Sequence, residues 1–491
     1  MSTRSLKNPC LLTLLACFFL TGCPVGPSYE QPEIEPGESF GNQVEQEYSV
    51  KPVDMQWWKQ FKDPELDGLI NLAVKNNFEL KAAEANLRLS RSLFLDAGLN
   101  LLPIVTEHAN WSSLQRSFDA LNQRNYVPRN LNLYNTGFDT FWELDIWGRV
   151  RRDVQAREAD IEASEADRRA LTLSVIAEVA RNYFLLRGHQ NQLAVEQRNA
   201  KNQKDTWDLT RARQDAGVGT DFDTQRAKAQ YDTTLALIPP MDGMIHQDIH
   251  RISVLTGQIP SALLSQLLVR APLPLMPTTI SIGNPRELLK RRPDIRVAER
   301  SLASATARIG VAVGDLFPKV TFIGTFALES SSIGGLGAAG NMSGAYNFGP
   351  RITWPAFDLG QVYARIKAAE SRADVQLAEY QQIVLNALEE TENALVSYDR
   401  LRDRQALLKT ASQASYRAYE VANIRFEEGV EDFLNLLDTE RRLLLDQREY
   451  ANSITETAAA LIAIYKALGG GWEVYQTNED QKRDIENVFT P

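Results

Sequence analysis

Few residues in this chain have the type and spacing of a chemical centre. His246-x-x-x-His250 places two imidazoles one helical turn apart, the spacing of a helical metal pair. The other histidines, His108 and His189, are remote in sequence, and neither an HExxH pattern nor a cysteine ligand accompanies the pair. A polar helix face accounts for it, and no metal is expected. Gly335-Leu336-Gly337-Ala338-Ala339-Gly340 fits the GxGxxG pattern of dinucleotide sites, which needs a helix after the glycines. Here Asn341–Tyr346 leads into another strand, so the glycines read as a flexible loop. Lys290-Arg291-Arg292 could bind a polyanion, but a solvated or salt-bridged helix end is the simpler reading. No nucleophile with a positioned base emerges, so no catalytic residue, cofactor or enzyme activity is expected.

The three cysteines say more. Cys10 and Cys17 fall at the edge of or within the apolar run Leu11–Leu20, preceded by Arg4 and Lys7, which reads as a secretory signal peptide over 1–22. Leu20-Thr21-Gly22-Cys23 then resembles the lipobox of bacterial lipoproteins, in which the cysteine thiol takes a diacylglyceryl group before cleavage. Cys23 would thus begin the mature chain as a thioether, leaving no thiol or disulfide chemistry. An ordinary secreted protein with a chance cysteine is the alternative. Pro24, rather than an Asp, follows the cysteine, which favours sorting to the outer membrane.

Composition bounds the rest. With 491 residues, 44% hydrophobic and 24% charged, the chain is not mainly disordered. A net charge of −10 argues against nucleic acid as the main partner. Beyond the signal peptide no apolar run is long enough for a membrane-spanning helix.

The elements that must position any site are duplicated in tandem. Leu144-Asp145-Ile146-Trp147-Gly148 resembles Phe357-Asp358-Leu359-Gly360, and Arg213-x-x-x-Gly217 returns as Arg425-x-x-x-Gly429 at the same offset. Leu102-Pro103 likewise matches Phe317-Pro318. Each half reads as helix, two strands, a very long helix, a turn and a helix. Between Gly360 and Gly429 there is neither Gly nor Pro, so one helix of about 100 Å is expected at 1.5 Å per residue. Its seam Leu377, Tyr380, Val384, Ala387, Thr391, Ala394, Tyr398, Leu401, Gln405, Leu408 and Ser412 keeps a strict coiled-coil spacing. The first-half counterpart spans about Gly148–Ala216, interrupted by Gly188.

Strands are expected where side chains alternate: Val320–Glu329, Tyr346–Phe357, Leu131–Asp145 and, most weakly, about Ile104–Arg116. A barrel wall between lipid and water and a soluble sandwich would both alternate so. Four strands cannot close a membrane barrel, so a barrel would have to be shared between chains. The expected layout is a signal peptide 1–22, a lipidated segment 23–62 and a first repeat 63–257, with strands about 104–145 and long helices 148–257. A linker 258–280 leads to a second repeat 281–470, with strands about 319–358 and long helices 361–470, and then to a tail 471–491.

With these residues in view, the chain resembles the TolC-like outer-membrane efflux channels, and among them the OprM/NodT-type lipoprotein branch. The matching segments run from Val25-Gly26-Pro27-Ser28-Tyr29-Glu30-Gln31-Pro32 and Trp57-Trp58-Lys59-Gln60-Phe61 to Arg291-Arg292-Pro293-Asp294-Ile295-Arg296 and Lys466-Ala467-Leu468-Gly469-Gly470-Gly471-Trp472. The resemblance implies an α+β membrane protein, a homotrimer with a twelve-stranded β-barrel, four strands per chain, continued by a twelve-helix α-barrel tunnel. It implies a multidrug efflux role: an exit duct that docks with a periplasmic membrane-fusion adaptor and an inner-membrane pump, the RND type being expected. A coiled-coil spacer lipoprotein without a pore is the alternative.

The turns Gly217-Val218-Gly219-Thr220 and Gly429-Val430-Glu431-Asp432 each end a long helix with a glycine and begin the next with a Thr or Asp cap. They could merely reverse the chain; the resemblance adds adaptor docking. Leu434, Asp438 and Arg441 share one helical face. The resemblance implies that Phe433-Leu434-Asn435-Leu436-Leu437-Asp438 closes the tunnel with an apolar and an acidic ring, although Thr439-Glu440 stands where Ala-Gln is usual. An Asp438–Arg441 pair on a solvated face is the plainer alternative.

Overall fold

The computed structural model describes residues 24–41, 48–49, 51–117, 129–277, 279–337 and 343–475. The signal segment and Cys23 lie outside the described residues, as do Ala338–Gly340 of the glycine loop. In chain order the elements are β1 (Tyr48–Ser49), α1 (Pro64–Asn76), α2 (Phe78–Leu99), β2 (Ile104–Gln115), β3 (Asn130–Leu144) and α3 (Arg149–Asp215). Next come α4 (Asp221–Leu235), α5 (Ile238–Leu255), α6 (Leu264–Leu267), β4 (Ile280–Ser281), α7 (Pro285–Arg291) and α8 (Pro293–Gly314). The last are β5 (Lys319–Ser330), β6 (Gly344–Thr353), α9 (Leu359–Glu427) and α10 (Phe433–Ala467). The chain is helix-rich α+β, and no described helix is long and apolar enough to cross a membrane.

Two compact units form, and each draws on both halves of the sequence: 1–32, 87–164 and 298–380 in one, 33–86, 165–297 and 381–491 in the other. The first holds an antiparallel sheet in the order β2-β3-β5-β6. Directly opposed residues share a face. Thr106, Asp139, Thr325 and Asn347 line up across all four strands on the polar face, and Phe138, Phe326 and Tyr346 line up on the other. The apolar face is open: Val105, Trp111, Phe138, Phe326, Tyr346, Phe348 and Ile352 are all exposed. β6 stops at Thr353, short of Phe357, because Pro355 has no N–H to give a ladder. At the strand bases the indoles of Trp142, Trp147 and Trp354 donate to the carbonyls of Leu101, Pro318 and Leu316. An amphipathic ring tied at its polar end suits a membrane interface.

The same unit holds the segment that follows Cys23. Val25 donates its N–H to the Trp147 carbonyl at 3.0 Å, and Arg152 donates to the carbonyls of Val25 and Gly26. Gly148 has φ +74°, and a Cβ there would lie 2.5 Å from Pro24. Pro24 is therefore held at the junction between β3 and α3.

In the second unit, motifs far apart in sequence converge. Trp57 is fully buried, stacks on Tyr465 with ring centroids 4.8 Å apart, and donates to the Gly470 carbonyl at 3.1 Å. Arg292 caps the end of α10 by donating to the Ala467 carbonyl at 2.9 Å, while its other nitrogen meets Asp294 and Glu390. The basic Lys290–Arg292 run is thus a bonded helix end. α3 and α9 are 67 and 69 residues long, each about 100 Å. On α9 the residues Tyr380, Val384, Ala387, Thr391, Ala394 and Tyr398 are buried, and Leu401, Gln405, Leu408 and Ser412 half-buried. The 3,4 spacing is therefore the inward face. The return from the first long helix is split into α4 and α5 before Pro239-Pro240, whereas α10 runs unbroken for 35 residues.

Candidate functional site

The two turns that end α3 and α9 share one conformation. Gly217 and Gly429 adopt φ +75° and +76°, the left-handed region where a side chain is strained. Val218 and Val430 donate N–H back to the carbonyls of Arg213 and Arg425, closing the Schellman bonds expected after a helix-ending glycine. The Thr220 hydroxyl accepts from the Asp223 N–H at 3.2 Å and starts α4; Asp432 accepts from the Leu434 N–H and starts α10. Glu431 pairs with Arg425 at 3.0 Å. The turns are neighbours: the Arg213 guanidinium lies 4.7 Å from the centre of the Phe426 ring, which packs with Phe433. Val218 and Val430 project into solvent, 70% and 67% exposed, although both are apolar. Together they offer a small apolar tip on a backbone conformation that glycine alone adopts without strain.

Behind the tip, α10 presents Leu434, Asp438 and Arg441 to solvent, with Leu434 41% exposed. The helix brings the three to one side, but Arg441 does not fold back on Asp438. Its Nε donates to Gln230 Oε1 on α4 at 2.7 Å. Asp438 has no hydrogen bond or ion pair among the described residues, so its charge is free to meet whatever lies across from it.

Nothing in the sequence points to a polar network on the sheet. On the polar face of the sheet His108 sits between Asp139, 2.8 Å from Nδ1, and Asn135, whose amide donates to Glu329 at 2.7 Å. Thr325 donates to Asp139 at 2.7 Å. This lattice ties β2, β3 and β5 along the polar face of the sheet. His246 and His250 face each other at 6.4 Å between ring centres, with His246 Nδ1 on the Asp242 carbonyl. No group of three or more His, Cys, Asp or Glu side chains among the described residues could hold a metal ion. Glu440, one residue before Arg441, is buried; the sequence marks it only as a departure from the Gln usual there, and not as a buried acid.

Known proteins share both sequence and fold. The family model for "Outer membrane efflux protein" matches residues 69–258 and 284–470. Nodulation protein T of Rhizobium leguminosarum bv. trifolii is 30% identical over 92% of this chain and 95% of its own length. Outer membrane protein OprJ of Pseudomonas aeruginosa is 29% identical over 94% of this chain and 95% of its own. Among solved structures, the outer-membrane channel OprN superposes with a TM-score of 0.85 at 38% identity, covering 92% of this chain and all of that one. The open state of the Neisseria gonorrhoeae MtrE channel gives 0.81 at 31% identity, over 92% of this chain and 99% of the other. A two-part match spanning most of the sequence, together with whole-length relatives in sequence and fold, means that this chain belongs to the outer membrane efflux protein family, in its TolC-like, NodT-type branch.

Proposed function

We propose that this outer-membrane efflux protein works as a homotrimer whose sheets close one twelve-stranded barrel and whose long helices continue it as a twelve-helix tunnel. The observation that carries the reading is the sheet: four strands, two open edges and an exposed aromatic face. Neither an open edge nor a flat polar–apolar sheet is stable in lipid. Closure on two further copies pairs both edges, turns Phe138, Phe326 and Tyr346 to lipid, and encloses the His108–Asp139–Glu329 wall around water. The chain performs no bond chemistry in this reading; energy comes from an inner-membrane pump, of the RND type, reached through a periplasmic adaptor.

Each remaining part has a role in the same scheme. Cys23 carries the lipid, and the docking of Pro24 on Gly148 supports this by holding the anchor at the strand–helix junction, where the Trp147 carbonyl accepts from the Val25 N–H. The turns at 217–220 and 429–432 receive the adaptor, Val218 and Val430 supplying the apolar contact. Leu434, Asp438 and Arg441 form the periplasmic constriction, three free Asp438 carboxylates about the axis favouring cations. The two halves of the chain act as tandem repeats with the bounds given above.

Photo-crosslinking groups placed at Val218 and Val430 in living cells test the docking. One periplasmic adaptor protein should be captured at both positions. Capture solely of other copies of this chain would contradict the assignment.

A further inference from the structure

The side of α10 turned away from Leu434, Asp438 and Arg441 holds a buried acid without a partner. Glu440 is 2% exposed, and its Oε1 is sealed from solvent with no hydrogen bond. Facing α10 from α3 is a row of buried polar residues: Gln192, Glu196, Asn199, Gln203, Thr206 and Thr210. Their spacing alternates four and three, so they form a coiled-coil seam with polar side chains in it. Contacts fix the register between the two helices. Arg448 donates to Glu196 at 2.6 Å, Gln192 donates to Asn452 at 3.3 Å, and Gly188 abuts Thr455. Residue numbers rise on one helix as they fall on the other, and continuing that register brings Glu440 level with Gln203. There the seam is unsatisfied: both amide atoms of Gln203 and the amide nitrogen of Asn199 lack partners, as Glu440 does. Buried polar atoms left bare in this way are costly, and a bare charge more so.

Charged groups nearby are committed elsewhere. On α10 itself Arg441 holds Gln230 of α4, Arg442 holds Asp446, and Arg448 holds Glu196. From α9, Tyr419 faces both Glu440 and Thr206, with Asp205 of α3 and Glu427 of α9 as its more distant acidic neighbours. From α4 the side chain at this level is the neutral Gln230. Nothing here neutralises an ionised Glu440.

We propose that Glu440 is a proton-operated latch: protonated, it stays in the polar seam and holds the start of α10 on α3 and α9; ionised, it moves toward water and carries the Leu434–Asp438–Arg441 face with it, opening the constriction. The proposal rests on that constriction reading. Burial alone pushes the carboxyl from its ordinary 4.5 up to about 7, and the adjacent Tyr419 hydroxyl is pushed up to about 12, by burial first and then by Glu440. The latch therefore works across neutral pH.

The test is single-channel recording on full-length trimers in planar bilayers at about pH 5.5 and about pH 8.5, with Glu440→Gln as the neutral variant of equal shape. If opening returns Glu440 to an ordinary carboxylate, linkage makes the open-to-closed ratio rise about 30-fold per protomer over that interval. The parent should follow this rise, and Glu440→Gln should stay closed at both values. A flat parent, or a rise that survives in Glu440→Gln, overturns the latch. Leu434→Ala with Asp438→Ala separates the two ideas: if it conducts freely while the parent is flat, the constriction stands and the latch falls; if it conducts like the parent, the constriction fails and takes the latch with it. A readout independent of the variants is infrared difference spectroscopy on the parent trimer across the same pH interval. One buried carboxyl must lose its proton, and absence of that change overturns the proposal.

Discussion

Gly188 lies in the middle of α3, where helix propensity and packing predict opposite signs for the same substitution. On propensity, Gly188→Ala should stabilise by about 1 kcal/mol, the usual penalty of an interior helical glycine. Packing predicts the reverse. A Cβ at this position would stand 2.2 Å from Thr455 Oγ1, 2.3 Å from its Cγ2 and 2.8 Å from its Cβ. Thr455 is buried and its hydroxyl points to the Ala451 carbonyl, so it has little room to yield. Overfilling a packed interior costs about 1–3 kcal/mol. Less the gain in propensity, the net loss is up to about 2 kcal/mol per protomer. The assay is the temperature at which purified trimers dissociate on a denaturing gel, read for the parent, Gly188→Ala, Thr455→Ala and the pair. Thr455→Ala removes two of the three overlapping atoms, so the pair should regain most of the loss, with a coupling of about 1–2 kcal/mol. A single Gly188→Ala variant as stable as the parent, or a strictly additive pair, would refute the close helix approach and the register drawn from it.

Other outcomes follow from the same structure. Stability should fall as pH rises past 4.5, where an unfolded Glu440 ionises but the folded one does not, and level off above about 7, a loss of about 3 kcal/mol per protomer that Glu440→Gln should lack; denaturant midpoints at pH 5 and 8 measure it. Replacing Gly217 or Gly429 with Leu forces a side chain into the left-handed region, at about 1–2 kcal/mol, without a clash, since nothing lies within 4 Å of either Cβ. Trimers should persist while drug efflux is lost, and loss of trimers instead would reduce the turns to chain reversal. Cys23→Ala should abolish incorporation of radiolabelled palmitate, and label on that variant would remove the anchor from Cys23.

Much of this architecture is written in local patterns. Three strands fall close to where period-two alternation placed them, because one face is apolar and the other polar; the fourth ends at Thr353, before Pro355. The seam on α9 is legible because its buried positions are apolar or small and keep one spacing. The tips are legible because a helix-ending glycine and an Asp or Thr cap are local devices. What stayed hidden depends on contacts between helices. Gln192, Glu196, Asn199, Gln203, Thr206 and Thr210 have the spacing of a core but the composition of a surface, so a search for apolar periodicity passes over them. Glu440 stands out in the sequence only as a departure from the Gln usual there, and nothing local shows that it is buried. Arg441 has Asp438 within reach on its own helix, yet bonds Gln230 from another. A search for the 3,4 spacing blind to residue type would have exposed the polar seam; nothing local would have revealed the Gln230 contact. The same holds for Trp57 and Gly470, joined across the whole sequence.

The central claim, that three of these sheets close a pore, is tested most directly by single-channel recording of the purified full-length protein in planar bilayers. The account predicts discrete conductance steps from the trimer, small at rest and larger when Leu434 and Asp438 are both replaced by Ala. Membrane-inserted protein that carries no current in either form would contradict it and leave a coiled-coil spacer in place of a channel.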